Sequence, residues 1–192
     1  MRIAGICPLF IVILLAFGTI ACSQASVTPT GASAVVRQPE TFASVGASSN
    51  AVSGAAAAGS ELADVRRATA KYHDYDAAVA DGYLIGPNER CVPGMGYHAL
   101  NPGLIDGTID ALQPEVLLYE PLSNGKWKLI GVEYFIPAAL AGATPSLFGT
   151  NFYGPMPGHA PGMPVHYDLH AWLWLGNPDG TLATFNPKVT CN

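Results

Sequence analysis

Glu115-Val-Leu-Leu-Tyr119, Ser123-Asn124-Gly125-Lys126 and Trp127-Lys-Leu-Ile-Gly-Val-Glu-Tyr-Phe-Ile136 decide the fold. Two runs of β-branched, aromatic and aliphatic residues flank an Asn-Gly pair, which accepts positive φ at both central positions of a type I′ turn. That is a β-hairpin. Downstream, Val165 to Leu175 and Thr181 to Phe185 flank Asn177-Pro178-Asp179-Gly180, a second turn sequence and a second expected hairpin. Upstream, Ser60 is placed to cap a helix, with Glu61 and Asp64 in its first turn. Leu62, Val65, Thr69, Tyr72, Val79 and Tyr83 keep close to a 3.6-residue period, and Gly82 stands where a helix stops. From Gly86 onward Pro and Gly recur every few residues, which excludes further long helices. The expected class is α+β: one N-terminal helix packed on a mainly antiparallel β-sheet or partly closed barrel. Between the hairpins, Pro137 to Pro164 is a long connection rich in Gly, Pro and Met, the kind that forms lids or mouths.

The N-terminus predicts export. Met1-Arg2 gives a short positive start, and residues 3–20 are almost wholly apolar before Ala21-Cys22. The run approaches the roughly 18–20 residues of a membrane span. Pro8 within it, and the lack of a basic cluster after it, favour a cleaved signal over 1–21. Thr19-Ile20-Ala21-Cys22 resembles the bacterial lipobox, with Thr19 where Leu is usual, so Cys22 is the expected lipidation site; cleavage nearby, for instance after Ala25, is the alternative. Residues 22–59 are rich in Ala, Ser and Gly and show no sustained period, which predicts a flexible tether. A coil of that length spans about 30–35 Å. The folded domain is expected over 60–192.

Nine Lys plus Arg against fourteen Asp plus Glu make an acidic chain. With no basic run, nucleic acid is not an expected partner; the membrane is, through the N-terminal lipid. Outside the cytosol the two remaining cysteines, Cys91 and Cys191, most simply pair, since their separation has no metal-ligand spacing.

The chemistry concentrates in His166-Tyr-Asp168-Leu-His170. On a strand, alternate residues share a face. Val165, Tyr167, Leu169, Ala171, Leu173 and Leu175 form an apolar face; His166, Asp168, His170, Trp172 and Trp174 form the other. Two imidazoles, an acid and two indoles on one face resemble the wall of a pocket. Residues four apart on a strand lie about 13 Å apart at the backbone, so His166 and His170 do not chelate as a helical pair would. His166 with Asp168, or Asp168 with His170, at about 6–7 Å, are the easier pairs. A further ligand must come from another strand. His98 is the best candidate and Glu133 the next, since an unpaired carboxylate in an apolar strand is costly to bury. Such a set suits Zn, Fe(II), Mn or Cu(II). The competing readings are a metal-free polar pocket and a purely structural network, in which Asp168 orients a histidine and Glu133 pairs with Lys126, Lys128 or Arg90. Tyr97, Trp172 and Trp174 are candidate aromatic pocket residues. His73 and His159 read as surface or lid residues.

The stretches from Cys91 to Pro102 (containing Cys-Val-Pro-Gly-Met-Gly-Tyr-His), Pro114 to Pro121, Gly131-Val-Glu-Tyr134, and Tyr167-Asp-Leu-His-Ala-Trp-Leu-Trp174, ending in Asn186-Pro187 and Cys191, together resemble a family of secreted bacterial proteins of uncharacterised activity. The resemblance covers most of the domain. It implies secretion and a His-containing site.

The sequence thus describes an exported, lipid-anchored envelope protein, at the periplasmic face or cell surface. Its His/carboxylate pocket is suited to a divalent transition metal and to a small metal-dependent enzyme. The alternative is a non-enzymatic lipoprotein that binds a small ligand or protein partner through an aromatic-lined pocket.

Overall fold

The structure, a computed structural model, describes residues 48–191 except 161. The signal, Cys22 and most of the expected tether lie outside the described residues. Helix α1 (Ser48–Thr69) begins well before the expected cap at Ser60. Ala55 to Ala58 explain the difference: composition suggests a tether, but alanine has the highest helix propensity and carries the helix through Gly54 and Gly59. The helix also ends earlier than its period suggests. Thr69 Oγ1 donates to the Val65 carbonyl at 2.8 Å, the back-bonding that bends helices. A 3-10 turn follows over Ala70–His73. Asp74 then caps the short α2 (Tyr75–Ala80) by accepting from the Asp76 N–H. Gly82, at φ 96°, closes it, with Gly82 N–H bonded to Val79 and Tyr83 N–H to Ala78.

The strands are β1 (Leu84–Ile85), β2 (Tyr97–Leu100), β3 (Val116–Pro121), β4 (Trp127–Pro137), β5 (Ser146–Leu147), β6 (Thr150–Asn151), β7 (Tyr153–Met156) and β8 (His166–Ala171). Six form one sheet in the order β1-β2-β3-β4-β8-β7, every pair antiparallel; β5 and β6 make a separate ribbon. The class is α+β, and the strand order is open rather than closed into a barrel.

The first hairpin forms, with a different turn. Gly125 has φ 78°, and Asn124 is not among the residues with positive φ. Gly125 N–H bonds to Leu122 O and Leu122 N–H to Lys126 O, a three-residue loop of type I with a left-handed glycine rather than type I′. The second expected hairpin does not form. β8 ends at Ala171, and the N–H groups of Trp174 and Leu175 both turn to Ile130 O at 3.1 Å. Residues 181–185 make no strand. They supply carbonyls to Trp172 instead, Thr181 to its backbone N–H and Ala183 to its indole at 2.6 Å. The free edge of β8 is taken by β7, from within the connection expected to be irregular.

One sheet face packs against the helices through Val65, Tyr72, Leu117, Tyr119, Val132 and Tyr134. Its tyrosines bring polar tips that find acceptors: Tyr119 donates to Tyr72 O at 2.7 Å, Tyr83 to Pro114 O at 2.8 Å, Tyr134 to Ala111 O at 2.6 Å, and Tyr72 to the Asp81 carboxylate at 3.1 Å. The opposite face holds Leu118, Ile130, Phe135, Trp172 and Val189. The C-terminal segment covers part of it, held by Gly94 N–H to Val189 O and Asn186 N–H to Gly94 O, both 2.8 Å. Cys91 and Cys191 are disulfide-bonded, with Cα atoms 5.6 Å apart. The bond closes a loop of 100 residues, which contributes about 4–5 kcal/mol in the chain-entropy model.

Candidate metal centre

The site begins with an irregularity in β4. Leu118 pairs with Gly131 but Tyr119 pairs with Leu129, so Ile130 is an extra residue, a β-bulge. The bulge changes which face each residue takes. Leu129 joins Val132, Tyr134 and Ile136 on the helix side, and Ile130 and Phe135 belong to the other. Glu133 lies on that second face, lining a cleft beside Phe135. Under strict alternation Glu133 would share the face of Leu129. Gly131 is required beside the bulge: a Cβ there would come 2.8 Å from Ala171 O and 3.3 Å from the Trp172 ring.

Register then assembles the site. Glu133 and His170 are direct cross-strand partners, which puts their Cβ atoms about 5 Å apart. His98, on β2, reaches across β3 to them. Glu133 Oε2 lies 3.4 Å from His98 Nε2 and 3.7 Å from His170 Nε2. One ligand atom from each of His98, Glu133 and His170 lies within 4.8 Å of the others, so this group could hold a metal ion.

The outer imidazole nitrogens face carboxylates. Glu89 Oε1 is 3.4 Å from His98 Nδ1, and Asp168 Oδ1 is 3.8 Å from His170 Nδ1. Carboxylates in these positions fix the orientation and basicity of ligating imidazoles. Asp168 extends the chain: its Oδ2 lies 3.9 Å from His166 Nε2. His166 Nδ1 in turn bonds Pro164 O at 3.0 Å, and its ring stacks on Phe135 at 4.7 Å. The geometry gives His166 and Asp168 an outer position, linked to His170 and separate from the three-residue group.

Burial sets the electrostatics. Desolvation pushes Glu133 up to about 7 and Asp168 up to about 6, and drives His170 down to about 3. For His98 desolvation also pulls downward, but the hydrogen bond to Glu89 and the charges of Glu133, Glu89 and Asp168 outweigh it and leave the imidazole above its ordinary value. Among the described residues, the buried side-chain atoms without a hydrogen-bond partner are Glu133 Oε2, His166 Nε2, both Asp168 oxygens, both His170 nitrogens and Trp174 Nε1. All but the last converge here. Isolated buried acceptors each cost about 1–3 kcal/mol, so a cluster of them is a set waiting for a cation or protons. Two imidazoles and one carboxylate match the donor set of open metal sites.

Two of the expected aromatic residues lie elsewhere. Tyr97 neighbours His98 on the same strand and therefore points to the opposite face, its ring 5.0 Å from Trp127. Beyond Ala171 the chain leaves the ladder, so Trp174 loses strand alternation. It packs on the helix side under Arg66, 4.0 Å from its guanidinium, and 4.3 Å from the His73 ring. Trp172 stays on the site face, stacked on His170 at 5.9 Å. Two residues that the sequence reading did not place in the site belong to its surroundings. Glu89 sits in a Pro/Gly loop with no period to mark it, brought close by the Val92–Gly96 bridge that precedes β2. His159, read as a surface or lid residue, has its ring 5.4 Å from His166.

His98 and Glu133 line a cleft of 1140 Å³, together with Leu100, Val116 and Phe135 of the sheet and residues of the loops around 86–90 and 159–164. Compared with known proteins, the chain matches no family model, no curated protein and no solved structure.

Proposed function

We propose that this chain is an exported protein, lipid-anchored at Cys22, that holds one divalent transition metal ion on His98, Glu133 and His170 as a small metal-dependent enzyme. The observation that carries the reading is the convergence of partnerless buried polar atoms of β4 and β8 beside His98 of β2, with carboxylates behind two of the imidazoles. Three protein ligands leave coordination positions for water or substrate, as in catalytic rather than structural sites. Zn, Fe(II), Mn and Cu(II) all accept this donor set. A bound ion would supply Lewis-acid polarisation or an activated water. The residues' own part is to hold the imidazoles in register, through Glu89 and Asp168, and to exclude solvent through Phe135 and Trp172. The disulfide between Cys91 and Cys191 supports a compartment outside the cytosol, and the apolar run before Cys22 supports export.

Metal analysis of protein purified without a His-tag tests the reading, before and after His98→Ala and His170→Ala. One equivalent in the wild type and loss in both variants is expected. No metal above background after reloading overturns it. Cys22→Ala, with fractionation of the expressing cells, tests the anchor separately: release of the variant from the membrane fraction is expected. A second reading, a non-enzymatic binding protein, is favoured by the cleft itself; binding of a ligand with no chemical turnover under metal-replete conditions would select it.

A further inference from the structure

The cleft has its own chemistry, beyond the three metal-holding residues. Its walls are mostly apolar: Leu100, Val116 and Phe135 come from the sheet, Ile105 and Met163 from the segments outside it. Its polar groups are unevenly distributed. Glu133 and His98 lie at the inner end; Glu133 is 4% exposed and keeps one oxygen without a hydrogen-bond partner. Arg90 also lines the cleft and, unlike Glu133, is exposed. Glu89 and Glu133 both turn their oxygens to His98. Arg90 has no ion-pair partner among the described residues, and it is the one lining Lys or Arg.

We infer that the cleft binds an amphipathic organic carboxylate, with its acid group on Arg90 and its hydrocarbon or aromatic body along the apolar walls. Burying an apolar body removes roughly 25 cal/mol of unfavourable hydration per Å². A guanidinium offers a carboxylate a bidentate, charge-assisted pair. Without a bound ion, an acid group seated at the inner end would instead meet the Glu133 carboxylate, whereas Arg90 offers a cation in either form. The orientation therefore carries the far end of the molecule, not its acid group, toward His98 and Glu133. The inference deepens the metal reading, and it rests on that reading only for what happens at the inner end. Cavities of this kind, mostly apolar with a few convergent polar groups, are the usual form of small-molecule sites.

Isothermal titration of full-length protein with decanoate and with decan-1-ol tests it, in zinc-loaded and chelator-treated forms. Decanoate is expected to bind both forms. Arg90→Gln should weaken decanoate about tenfold, one charge-assisted pair, and leave decanol unchanged. Met163→Trp, on the loop rather than the sheet, should block both probes while circular dichroism stays native. Binding of neither probe to either form overturns the cleft as an organic-anion site, whatever the metal content. Decanoate binding that requires zinc and ignores Arg90→Gln overturns the orientation, because the acid group would then sit at the inner end. Failure to bind zinc, with decanoate binding intact, overturns the metal reading alone.

Discussion

Glu133 and Glu115 are both buried carboxylates beside the same sheet, and they differ in what their oxygens meet. Glu115 Oε2 accepts from the Phe135 N–H at 3.1 Å. Burial nonetheless pushes its carboxyl up to about 7, with desolvation outweighing that bond. The linkage has a definite sign. The folded protein holds this proton more tightly than the unfolded chain, whose value is near 4.5. Stability from this group is therefore fully present below about 4.5 and is lost as pH rises toward about 7, by about 2–3 kcal/mol. Glu115→Gln keeps the acceptor and removes the charge. It should raise stability by up to that amount at pH 8 and change little at pH 4, measured by urea unfolding at the two pH values. Around the metal group the prediction is different. Glu89 faces the outer nitrogen of His98, and Asp168 faces the outer nitrogen of His170 and Nε2 of His166. Glu89→Gln or Asp168→Asn should lower zinc affinity about 10–100-fold without abolishing it, read by competition with a chromophoric chelator. Loss no smaller than that of His98→Ala would make them ligands rather than orienting groups.

At the scale of elements, the bulge at Ile130 decides more than any single side chain. It lets Leu129 pack on the helix side and still brings Glu133 to the face of His170. Gly131→Ala would drive a Cβ to 2.8 Å from Ala171 O, the last residue of the ladder between β4 and β8. The strand must shift. We expect a loss of about 1–3 kcal/mol in urea unfolding together with weaker zinc binding, since Glu133 and His170 are the cross-strand pair next to Val132 and Ala171. Here too lies the limit of what was legible in the sequence. The first hairpin, the helix around Val65 and Tyr72, and the cystine were readable, because propensity, period and cysteine count are local or compositional. His98, Glu133 and His170 were readable as residue types. Their grouping was not, because it depends on a register set by one extra residue and on the open order of the strands. Thr181–Phe185 has strand composition but no free edge to join, since β7 already occupies the one beside β8. Tertiary competition for hydrogen bonds overrode propensity there.

For the molecule as a whole, the disulfide joins two matters that the sequence treats separately: stability and the site. Cys91 ties the last described residue, Cys191, to the loop that carries Glu89 and Arg90. That loop has few regular contacts of its own, a turn at Gly86–Glu89 and the single Val92–Gly96 bridge. Replacing both cysteines by serine should cost about 2–5 kcal/mol, chiefly through a freer unfolded chain. If that were its only effect, zinc would add the same stability to both proteins at a given concentration, since a ligand at 100 times its dissociation constant adds about 2.7 kcal/mol. The geometry predicts more. Glu89 faces His98 and lies two residues from Cys91 along the chain, so loosening the loop releases the orienting carboxylate as well. In thermal melts across a zinc series, the Cys91→Ser/Cys191→Ser protein should melt lower without zinc and should also need about tenfold more zinc for a given rise in Tm, the lower end of the loss expected from an orienting partner. Parallel zinc curves, offset only in Tm, would confine the disulfide to stability and leave Glu89 positioned by the bridge at Val92 alone.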